Sequence, residues 1–339
     1  MLKRKVPLVY MLLVALFCGV ASVVAVEYRH KAAQADDGAV TKMLDNARKE
    51  CEYSFSRLDG YQHIHPIFLA EPQCESEEFI PLKSQIDEFV QQMKRSGDLF
   101  QASVYLKDLN SGDWMDYDPK GTYQPGSLFK VVAMMTVFRM AEKDPALLDK
   151  EIAFKTSDAP APTQTFNSEI IQPGAKYKIK ELVRHMIVNS DNNATMLLNN
   201  VMNPAVFTSI FPDLGLRKPK LHEFDYAMSA KEYSRLMSVL YDGGYLTLPS
   251  SEVATSLLCE SAFDQGITKH LPKGLMVAHK FGEAGQPGAR ELHESAIVYL
   301  NGKPYLLTIM TKGTEAVKLA EMISELSRMA YEHMTKQNS

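Results

Sequence analysis

The sequence lacks an excess of positive charge outside its first residues, and this lack excludes one large class of partners. Three basic residues, Lys3, Arg4 and Lys5, precede the first acidic residue, Glu27. In total, 37 Lys and Arg residues stand against 41 Asp and Glu residues, so the part after Val26 is acidic on balance. A mildly acidic chain lacks the basic surface that binds phosphate backbones. We therefore expect no nucleic-acid partner.

Metal-binding signatures are equally scarce. No His-Glu-x-x-His pattern occurs, so a zinc peptidase has no support. His63 and His65 are close in the sequence, but no third ligand accompanies them, which favours an exposed loop. The sequence therefore predicts no metal ion and no organic cofactor.

The chain has only four cysteines. Cys18 lies in an apolar run, and Cys259 follows two leucines, which favours a small buried hydrophobic residue. Cys51 and Cys74 flank a loop-like stretch that contains glycine and prolines. In an oxidising compartment they could form a Cys51–Cys74 disulfide, and two unpaired surface thiols are the alternative.

One apolar run stands out near the start of the sequence. Residues 6–26 contain no charged residue, and a helix of that length, at ~1.5 Å per residue, spans the ~30 Å hydrocarbon layer. The basic cluster before it predicts a single-pass anchor in the cell membrane, with residues 1–5 as a cytoplasmic tip and the rest on the extracytoplasmic side. A cleaved signal peptide is the alternative. Residues 27–84 read as a stalk, and residues 85–339 as the catalytic domain.

The pattern of elements after the stalk predicts an α+β fold. Strands are indicated at both ends, over residues 100–106 and 113–117 and in a hairpin around Asn301-Gly302. Between them the sequence predicts helices over residues 128–142, 179–188, 194–201 and 229–240, and a last helix covers residues 317–334. Helix 229–240 opens with a capping box of Ser229 and Glu232. One antiparallel sheet flanked by helices is the expected architecture.

Ser127-Leu-Phe-Lys130 stands at the start of the apolar helix 128–142. A serine hydroxyl is a weak nucleophile, and a lysine one helical turn away lies on the same face, where its amine can reach the hydroxyl. Burial lowers the pKa of a lysine and makes its amine available as a base. The motif alone is weak, because a helix cap followed by a surface lysine gives the same letters.

Two further motifs follow. Ser190-Asp191-Asn192 lies between two predicted helices and offers a second hydroxyl. A helix cap followed by a turn, with no catalytic role, could have the same three residues. Lys280-Phe-Gly282 precedes the final hairpin and could present a cation to a substrate carboxylate, with Gly282 allowing close approach to the backbone. An edge-strand lysine is the alternative.

These motifs, each present once and in this order, resemble the class A β-lactamase and penicillin-binding protein superfamily over residues 85 to about 335. The resemblance implies a β-lactamase/transpeptidase-like fold, with a mostly helical subdomain beside the sheet, and a serine hydrolase. Ser127 would be the nucleophile and Lys130 its proton acceptor. Ser190 would relay the proton to the leaving group, Asn192 would hold Lys130 or the substrate, and Lys280 would bind the substrate carboxylate.

The resemblance also implies an oxyanion hole formed by the backbone N–H groups of Ser127 and Glu283. The sequence departs from the family at Phe281, where the family has a residue with a hydroxyl group. With phenylalanine at this position, one donor to the substrate carboxylate is lost and an apolar ring stands beside the substrate. Arg290 or His293 could replace the lost contact. We favour Arg290, together with Gly282, as a substrate-binding residue.

A second departure concerns deacylation. The family's loop between the second and third motifs carries a glutamate that activates water, but residues 214–228 are short here and lack the Glu-x-x-x-Asn pattern. Glu223 is a possible substitute base. Without a positioned base, we expect slow hydrolysis of the acyl-enzyme.

The resulting hypothesis is a membrane-anchored serine hydrolase that forms an acyl-enzyme on Ser127. Its substrate would be a small β-lactam or a cell-wall peptide amide resembling D-Ala-D-Ala. A non-turnover penicillin-binding sensor or wall-binding pseudoenzyme is one alternative. A serine esterase, suited to an apolar site around Phe281, is another.

Overall fold

A five-stranded antiparallel sheet organises the part of the chain that the structure describes. The computed structural model describes residues 52–57, 62, 67–158, 161, 164–166, 169–220 and 226–336. The residues from Tyr53 onward form one structural unit by their contacts, and the description below concerns that unit.

The strands and helices alternate in blocks along the chain. The strands are β1 (Tyr53–Arg57), β2 (Ile67–Pro72), β3 (Leu99–Asp108), β4 (Trp114–Tyr117), β5 (Glu151–Ala153), β6 (Lys176–Lys178), β7 (Val277–Gln286), β8 (Ala289–Val298) and β9 (Tyr305–Gly313). The α-helices are α1 (Ile80–Arg95), α2 (Phe129–Ala141), α3 (Ile179–Val188), α4 (Asn192–Asn199), α5 (Pro204–Asp213), α6 (Ala230–Tyr241), α7 (Leu248–Cys259) and α8 (Ala316–Lys336). Short 3₁₀ turns cover Glu77–Phe79, Gly126–Leu128 and Pro145–Asp149.

The main sheet has the strand order β4-β3-β9-β8-β7, and its neighbouring strands are antiparallel. The predicted final hairpin is confirmed: Val298 pairs with Tyr305 across the turn that contains Gly302, whose φ is 74°. Strand β8 starts at Ala289 and pairs with β7 along its whole length. The pairs β1–β2 and β5–β6 form two small separate sheets.

Two apolar cores lie on either side of the main sheet. The first contains α2, which is buried nearly all round, and the helices α3 to α7 that surround it. The second lies between the sheet and the amphipathic helices α1 and α8. The predicted α+β fold, with an antiparallel sheet flanked by helices and a mostly helical subdomain, is therefore confirmed. Helix α6 begins with the predicted capping box of Ser229 and Glu232.

Part of the stretch predicted to be a stalk contacts the catalytic domain. The indole N–H of Trp114 donates to the Pro72 carbonyl over 2.8 Å. The buried carboxylate of Glu71 accepts from the guanidinium of Arg235 on α6 over 3.0 Å. Phe79, just before α1, is buried in the second core. These contacts tie residues 71–79 to β4 and α6.

Several sequence predictions fall on residues outside the described part. These include the anchor over residues 6–26, Cys18, Cys51, His63, His65 and Glu223. Cys74 takes part in a disulfide bond, whereas Cys259 is a free, half-buried thiol whose pKa is raised by burial. Among the described residues, the helices are too short or too polar to span a lipid bilayer.

Candidate active site

The turn that carries Ser127 lies directly against strand β7. A methyl group added to Gly282 would stand 2.3 Å from the Pro125 carbonyl oxygen, and one added to Gly126 would stand 2.0 Å from the Glu283 carbonyl oxygen. Because any side chain would separate the two backbones, glycine is required on both sides of the contact. The packing brings together Ser127 and Glu283, the two residues whose backbone amides were predicted to form an oxyanion hole.

Lys130 is buried in the first turn of α2, and its amine is fully engaged. The amine donates to the Ser190 carbonyl over 2.5 Å, to the Ser190 hydroxyl over 3.2 Å and to Asn192 Oδ1 over 2.7 Å. No hydrogen bond joins it to the Ser127 hydroxyl in this structure. Burial lowers the pKa of Lys130 to about 7, against the opposing attraction of Asp191 and Glu283. A large share of the amine is therefore neutral near pH 7 and able to accept a proton.

The Ser190 turn is fixed by Asp191, the N-cap of α4. One carboxylate oxygen of Asp191 accepts from the backbone amides of Asn193 and Ala194, and the other accepts from the Ile171 amide over 2.7 Å. Ser190 itself has a φ of 53°, in the left-handed region that residues with a side chain rarely adopt. Such strain persists only where the surroundings impose it, and it is common at functional sites.

Gln164 belongs to this cluster, although no sequence motif pointed to it. Its amide nitrogen donates to the Ser190 carbonyl over 2.6 Å and to Asn192 Oδ1 over 3.1 Å. Its amide oxygen accepts from the Ser190 hydroxyl over 3.3 Å. Gln164 lies in an irregular segment far from the motifs in sequence, so only the folded chain brings it to them.

The segment that carries Gln164 is also bound to strand β7. The two carboxylate oxygens of Glu283 accept hydrogen bonds from the backbone amides of Thr165 and Phe166, each over 3.1 Å. Residues 164–166 therefore bridge the Ser190 turn on one side and the third motif on the other.

Lys280 is completely buried rather than exposed to solvent. Burial and the nearby charge of Lys130 lower the pKa of Lys280 well below its ordinary value. Its amine donates to the Phe281 carbonyl over 3.0 Å and lies 4.3 Å from the centre of the Phe281 ring. A neutral amine in this position is a weaker partner for a carboxylate than the cation that the motif suggested.

Phe281 does not face Ser127. Its ring stacks on Phe263 with the ring centres 4.2 Å apart and meets the edge of Phe166 at 6.2 Å. The three rings line a second cavity of about 270 Å³, together with residues such as Val188 and Gln265. The structure thus places the ring in the second core, and not at the substrate carboxylate as the sequence suggested.

A cavity of about 450 Å³ opens over Ser127. The predicted residues that line it are Ser127, Lys130, Asn192, Glu283 and Arg290, and Gln164 joins them. Such a volume suits a small ligand.

Of the two candidates for the missing carboxylate contact, Arg290 lines the cavity and His293 does not. His293 is fully buried, and its Nε2–H donates to the Gln124 carbonyl over 3.0 Å while Nδ1 accepts from the Thr311 amide. Both ring nitrogens are thus occupied by the backbone, which leaves Arg290 as the candidate of the two that lines the cavity.

Comparison with known proteins agrees with this geometry. Residues 81–334 match the sequence profile of the beta-lactamase enzyme family. The chain belongs to the beta-lactamase enzyme family. It is a serine hydrolase, and the predicted membership of the class A β-lactamase and penicillin-binding protein superfamily is confirmed.

Individual members of the family are distant from this chain. Beta-lactamase L2 of Stenotrophomonas maltophilia is 25% identical over 248 residues, which cover 67% of this chain and 79% of that protein. Among solved structures, PBP-A superimposes with a TM-score of 0.65 at 22% identity, over 78% of this chain and 99% of PBP-A. The extended-spectrum β-lactamase TLA-1 gives a TM-score of 0.66 at 17% identity, over 76% of this chain and 99% of TLA-1. A variant of PBP-A has been solved as an acyl-enzyme complex with penicillin G.

Proposed function

We propose that this β-lactamase-family hydrolase forms an acyl-enzyme on Ser127 with β-lactams or with cell-wall amides that resemble D-Ala-D-Ala. The observation that carries the proposal is the position of Lys130. Its amine, with a pKa of about 7, lines the same cavity as Ser127 and hydrogen-bonds the Ser190 hydroxyl and Asn192. The acyl-enzyme complex of the PBP-A variant with penicillin G is a precedent on the same fold.

The proposed acylation begins with proton transfer. The neutral amine of Lys130 takes the proton of the Ser127 hydroxyl while the Ser127 oxygen attacks the substrate carbonyl. The negative charge that develops on the carbonyl oxygen is stabilised by the backbone amides of Ser127 and Glu283. The arrangement requires Lys130 to turn toward Ser127 once substrate is bound, because apo geometry is often looser than that of the complex.

Collapse of the tetrahedral intermediate breaks the bond between the carbonyl carbon and the leaving nitrogen. That nitrogen receives the proton of the Ser190 hydroxyl, and the Lys130 ammonium returns a proton to Ser190. The 3.2 Å distance between the Lys130 amine and the Ser190 hydroxyl supports this relay. The product is an ester between Ser127 and the acyl part of the substrate.

Deacylation is proposed to be slow. Among the described residues that line the Ser127 cavity, Glu283 is the only carboxylate, and its two oxygens accept the Thr165 and Phe166 amides. A carboxylate so occupied is poorly placed to activate water. Glu223, the substitute base suggested by the sequence, lies outside the described residues and stays a candidate.

We also propose that residues 6–26 anchor the protein in the cell membrane, with the catalytic domain on the extracytoplasmic side. The uncharged run behind Lys3, Arg4 and Lys5 supports this orientation. The disulfide bond of Cys74 is consistent with an oxidising compartment. Protease treatment of intact cells tests the topology, because an extracytoplasmic domain would be cleaved and a cytoplasmic one protected.

Intact-mass spectrometry of the protein mixed with penicillin tests the catalytic proposal, with Ser127→Ala beside it. The expected result is a long-lived adduct on the wild type and none on the variant. Rapid release of opened penicillin without a lasting adduct would contradict slow deacylation and direct attention to Glu223. Neither adduct nor turnover would overturn the β-lactam proposal and leave an ester substrate or a non-catalytic wall ligand. The non-turnover sensor alternative shares the adduct, and hydrolysis of a D-Ala-D-Ala peptide separates the two.

A further inference from the structure

The cavity over Ser127 extends along helix α4. Asn192, Thr195 and Asn199 all line it, and their spacing places them on one face of the helix. Asn199 stands seven positions after Asn192, which corresponds to about 10.5 Å along the helix axis. The cavity therefore continues about two helical turns beyond the group that contacts Lys130.

The opposite side of this extension is apolar. Phe129, which stands between the nucleophile and Lys130 in the first motif, lines it together with Ala133 of α2. Met202 and Phe207 add two further apolar side chains to the lining. Phe129, Met202 and Phe207 are only partly buried, although large apolar side chains are normally buried when a site allows it. We call the part of the cavity lined by Phe129, Met202, Phe207 and Asn199 the acyl branch.

The apolar side of the acyl branch is supported from behind by aromatic packing. The centre of the Phe211 ring lies 5.9 Å from that of Phe129, in a T-shaped arrangement, and 5.7 Å from that of Phe207. Tyr226 meets Phe129 at 5.6 Å and Phe211 at 5.3 Å, and the guanidinium of Arg217 covers the Tyr226 ring at 4.4 Å. Neighbouring rings that contact one another in this way are fixed in position, so the branch is largely preformed.

The direction of the acyl branch decides which part of a substrate reaches it. Ser190, which would protonate the leaving nitrogen, immediately precedes α4, and Asn192 to Asn199 lead away from it. A leaving group must lie beside Ser190, so the group that enters the branch belongs to the part that stays attached to Ser127. This step rests on the proposed function, because it uses the role given there to Ser190.

We propose that the acyl branch binds a large apolar substituent, preferably aromatic, on the acyl side of the substrate. The rings of Phe129 and Phe207 and the thioether of Met202 provide contacts for an aromatic group. Asn199, on the polar side, offers an amide that can hydrogen-bond a linking amide of the acyl group. The substrate class is therefore an arylacetamido or similarly aromatic acyl donor, rather than one with a small acyl group.

Two penicillins that share the ring system and differ only in the acyl group test the proposal. Benzylpenicillin carries a phenylacetyl group, and 6-acetamidopenicillanic acid carries an acetyl group, so the leaving group is identical. The second-order rate constant of adduct formation on Ser127 is measured for both by time-resolved intact-mass spectrometry. We expect the full-length wild type to favour the phenylacetyl probe by about tenfold or more, as apolar pockets do.

Substitutions in the acyl branch test whether the preference for the phenylacetyl probe arises there. Phe207→Ala and Met202→Ala should each reduce the ratio of the phenylacetyl to the acetyl rate constant several-fold. Phe100→Ala is the matched control, because Phe100 is half-exposed on β3 and does not line the Ser127 cavity. Thermal melting and the rate with the acetyl probe show whether each variant is folded.

Equal rate constants for the two probes in the wild type would overturn the acyl branch while leaving acylation of Ser127 intact. An unchanged preference in both Phe207→Ala and Met202→Ala would overturn its location. Absence of both adduct and penicillin turnover with either probe would instead overturn the proposed function, and the acyl branch with it.

Discussion

Gly282 and Pro125 are in backbone contact: a methyl group on Gly282 would stand 2.3 Å from the Pro125 carbonyl oxygen and 2.7 Å from the Leu128 amide nitrogen. The substitution Gly282→Ala must push β7 away from the turn that carries Ser127. We expect acylation by penicillin to fall about 100-fold, because a misplacement of about 1 Å at a reacting centre costs that much. The rate of adduct formation measures the effect.

Gly302→Ala is the control for this substitution. Gly302 has a positive φ of 74°, but nothing lies within 4 Å of an added methyl group. It should lose some stability through backbone strain and keep the wild-type rate of acylation. Wild-type acylation by a folded Gly282→Ala variant would contradict the requirement for close contact at the Ser127 turn.

The lowered pKa of Lys130 predicts a pH dependence of acylation. Protonated Lys130 cannot accept the Ser127 proton, so the rate constant should fall about tenfold per pH unit below a pKa of about 7. Rates of adduct formation between pH 5 and 9 provide the profile. A rate that is constant across this range would show that another group is the base.

The same shift affects stability. Lys130 has a pKa of about 7 in the folded protein against an ordinary value of 10.5, so between these values the unfolded chain binds more protons. The contribution of this group to the free energy of unfolding therefore rises as pH increases from 7 to 10.5. Urea unfolding of Lys130→Met should lack this component, and an identical pH dependence in wild type and variant would contradict the shift.

Asp191 raises the pKa of Lys130, although burial outweighs it. The substitution Asp191→Asn removes that attraction, so the acid limb of the acylation profile should move to lower pH. The new amide group would also face backbone N–H donors, and we expect a loss of about 1–3 kcal/mol in the free energy of unfolding. Asp98→Asn, on a surface carboxylate that contacts Lys318, should leave the profile in place. An unmoved acid limb in Asp191→Asn would argue against Lys130 as the titrating base.

Gln164 should matter for acylation through Ser190 and Asn192. Its amide nitrogen donates to the Ser190 carbonyl oxygen and to Asn192 Oδ1. Gln164→Glu would replace this donor by a carboxylate oxygen, which can only accept and would repel both oxygens. We expect a reduced acylation rate in Gln164→Ala and a larger reduction in Gln164→Glu above pH 5. Gln172→Glu is the matched control, because Gln172 is exposed and its side-chain amide donates to Ile170. The reverse order of Gln164→Ala and Gln164→Glu would contradict this account.

His279 and Glu294 form a buried pair behind the site. His279 Nδ1 lies 2.7 Å from Glu294, whose second oxygen accepts from the Ile267 amide over 2.7 Å. Glu294→Ala would leave the Ile267 amide and the His279 ring buried without their hydrogen-bond partner, at about 1–3 kcal/mol for each group, so this variant should unfold at much lower urea concentration than the wild type. Glu260→Ala, which breaks an exposed pair with Arg184, should have little effect. Equal losses in the two variants would contradict the importance of burial.

The sequence was most informative where local signals and chemistry coincide. Apolar residues on all sides of residues 128–142 indicated the buried helix α2, and Asn301-Gly302 between two strands indicated the β8–β9 hairpin. Helices α5 and α7 were not predicted. Each starts at or next to a proline, Pro204 and Pro249, which also suits a loop, and α5 contains Pro212 near its end.

Parts of the site depend on long-range packing and could not be read from motifs. Gln164 reaches Ser190 from a distant segment, and Glu283 binds the residue after it. Lys280 and Phe281 are neighbours in a strand, so they point to opposite faces, and the register of the sheet decides what each face meets. The sequence located the third motif, but it could not show that the Phe281 ring packs on Phe263.

The strand order has a consequence for synthesis of the chain. Strand β3 pairs with β9, so Leu106 lies beside Leu307, and α1 shares its apolar core with α8. A growing chain therefore exposes the apolar faces of β3 and α1 until β9 and α8 have left the ribosome. Such long-range pairing folds slowly and leaves intermediates open to aggregation. Translation that stops before Tyr305 would yield a sheet divided at its middle strand, and such fragments would be substrates for chaperones and proteases.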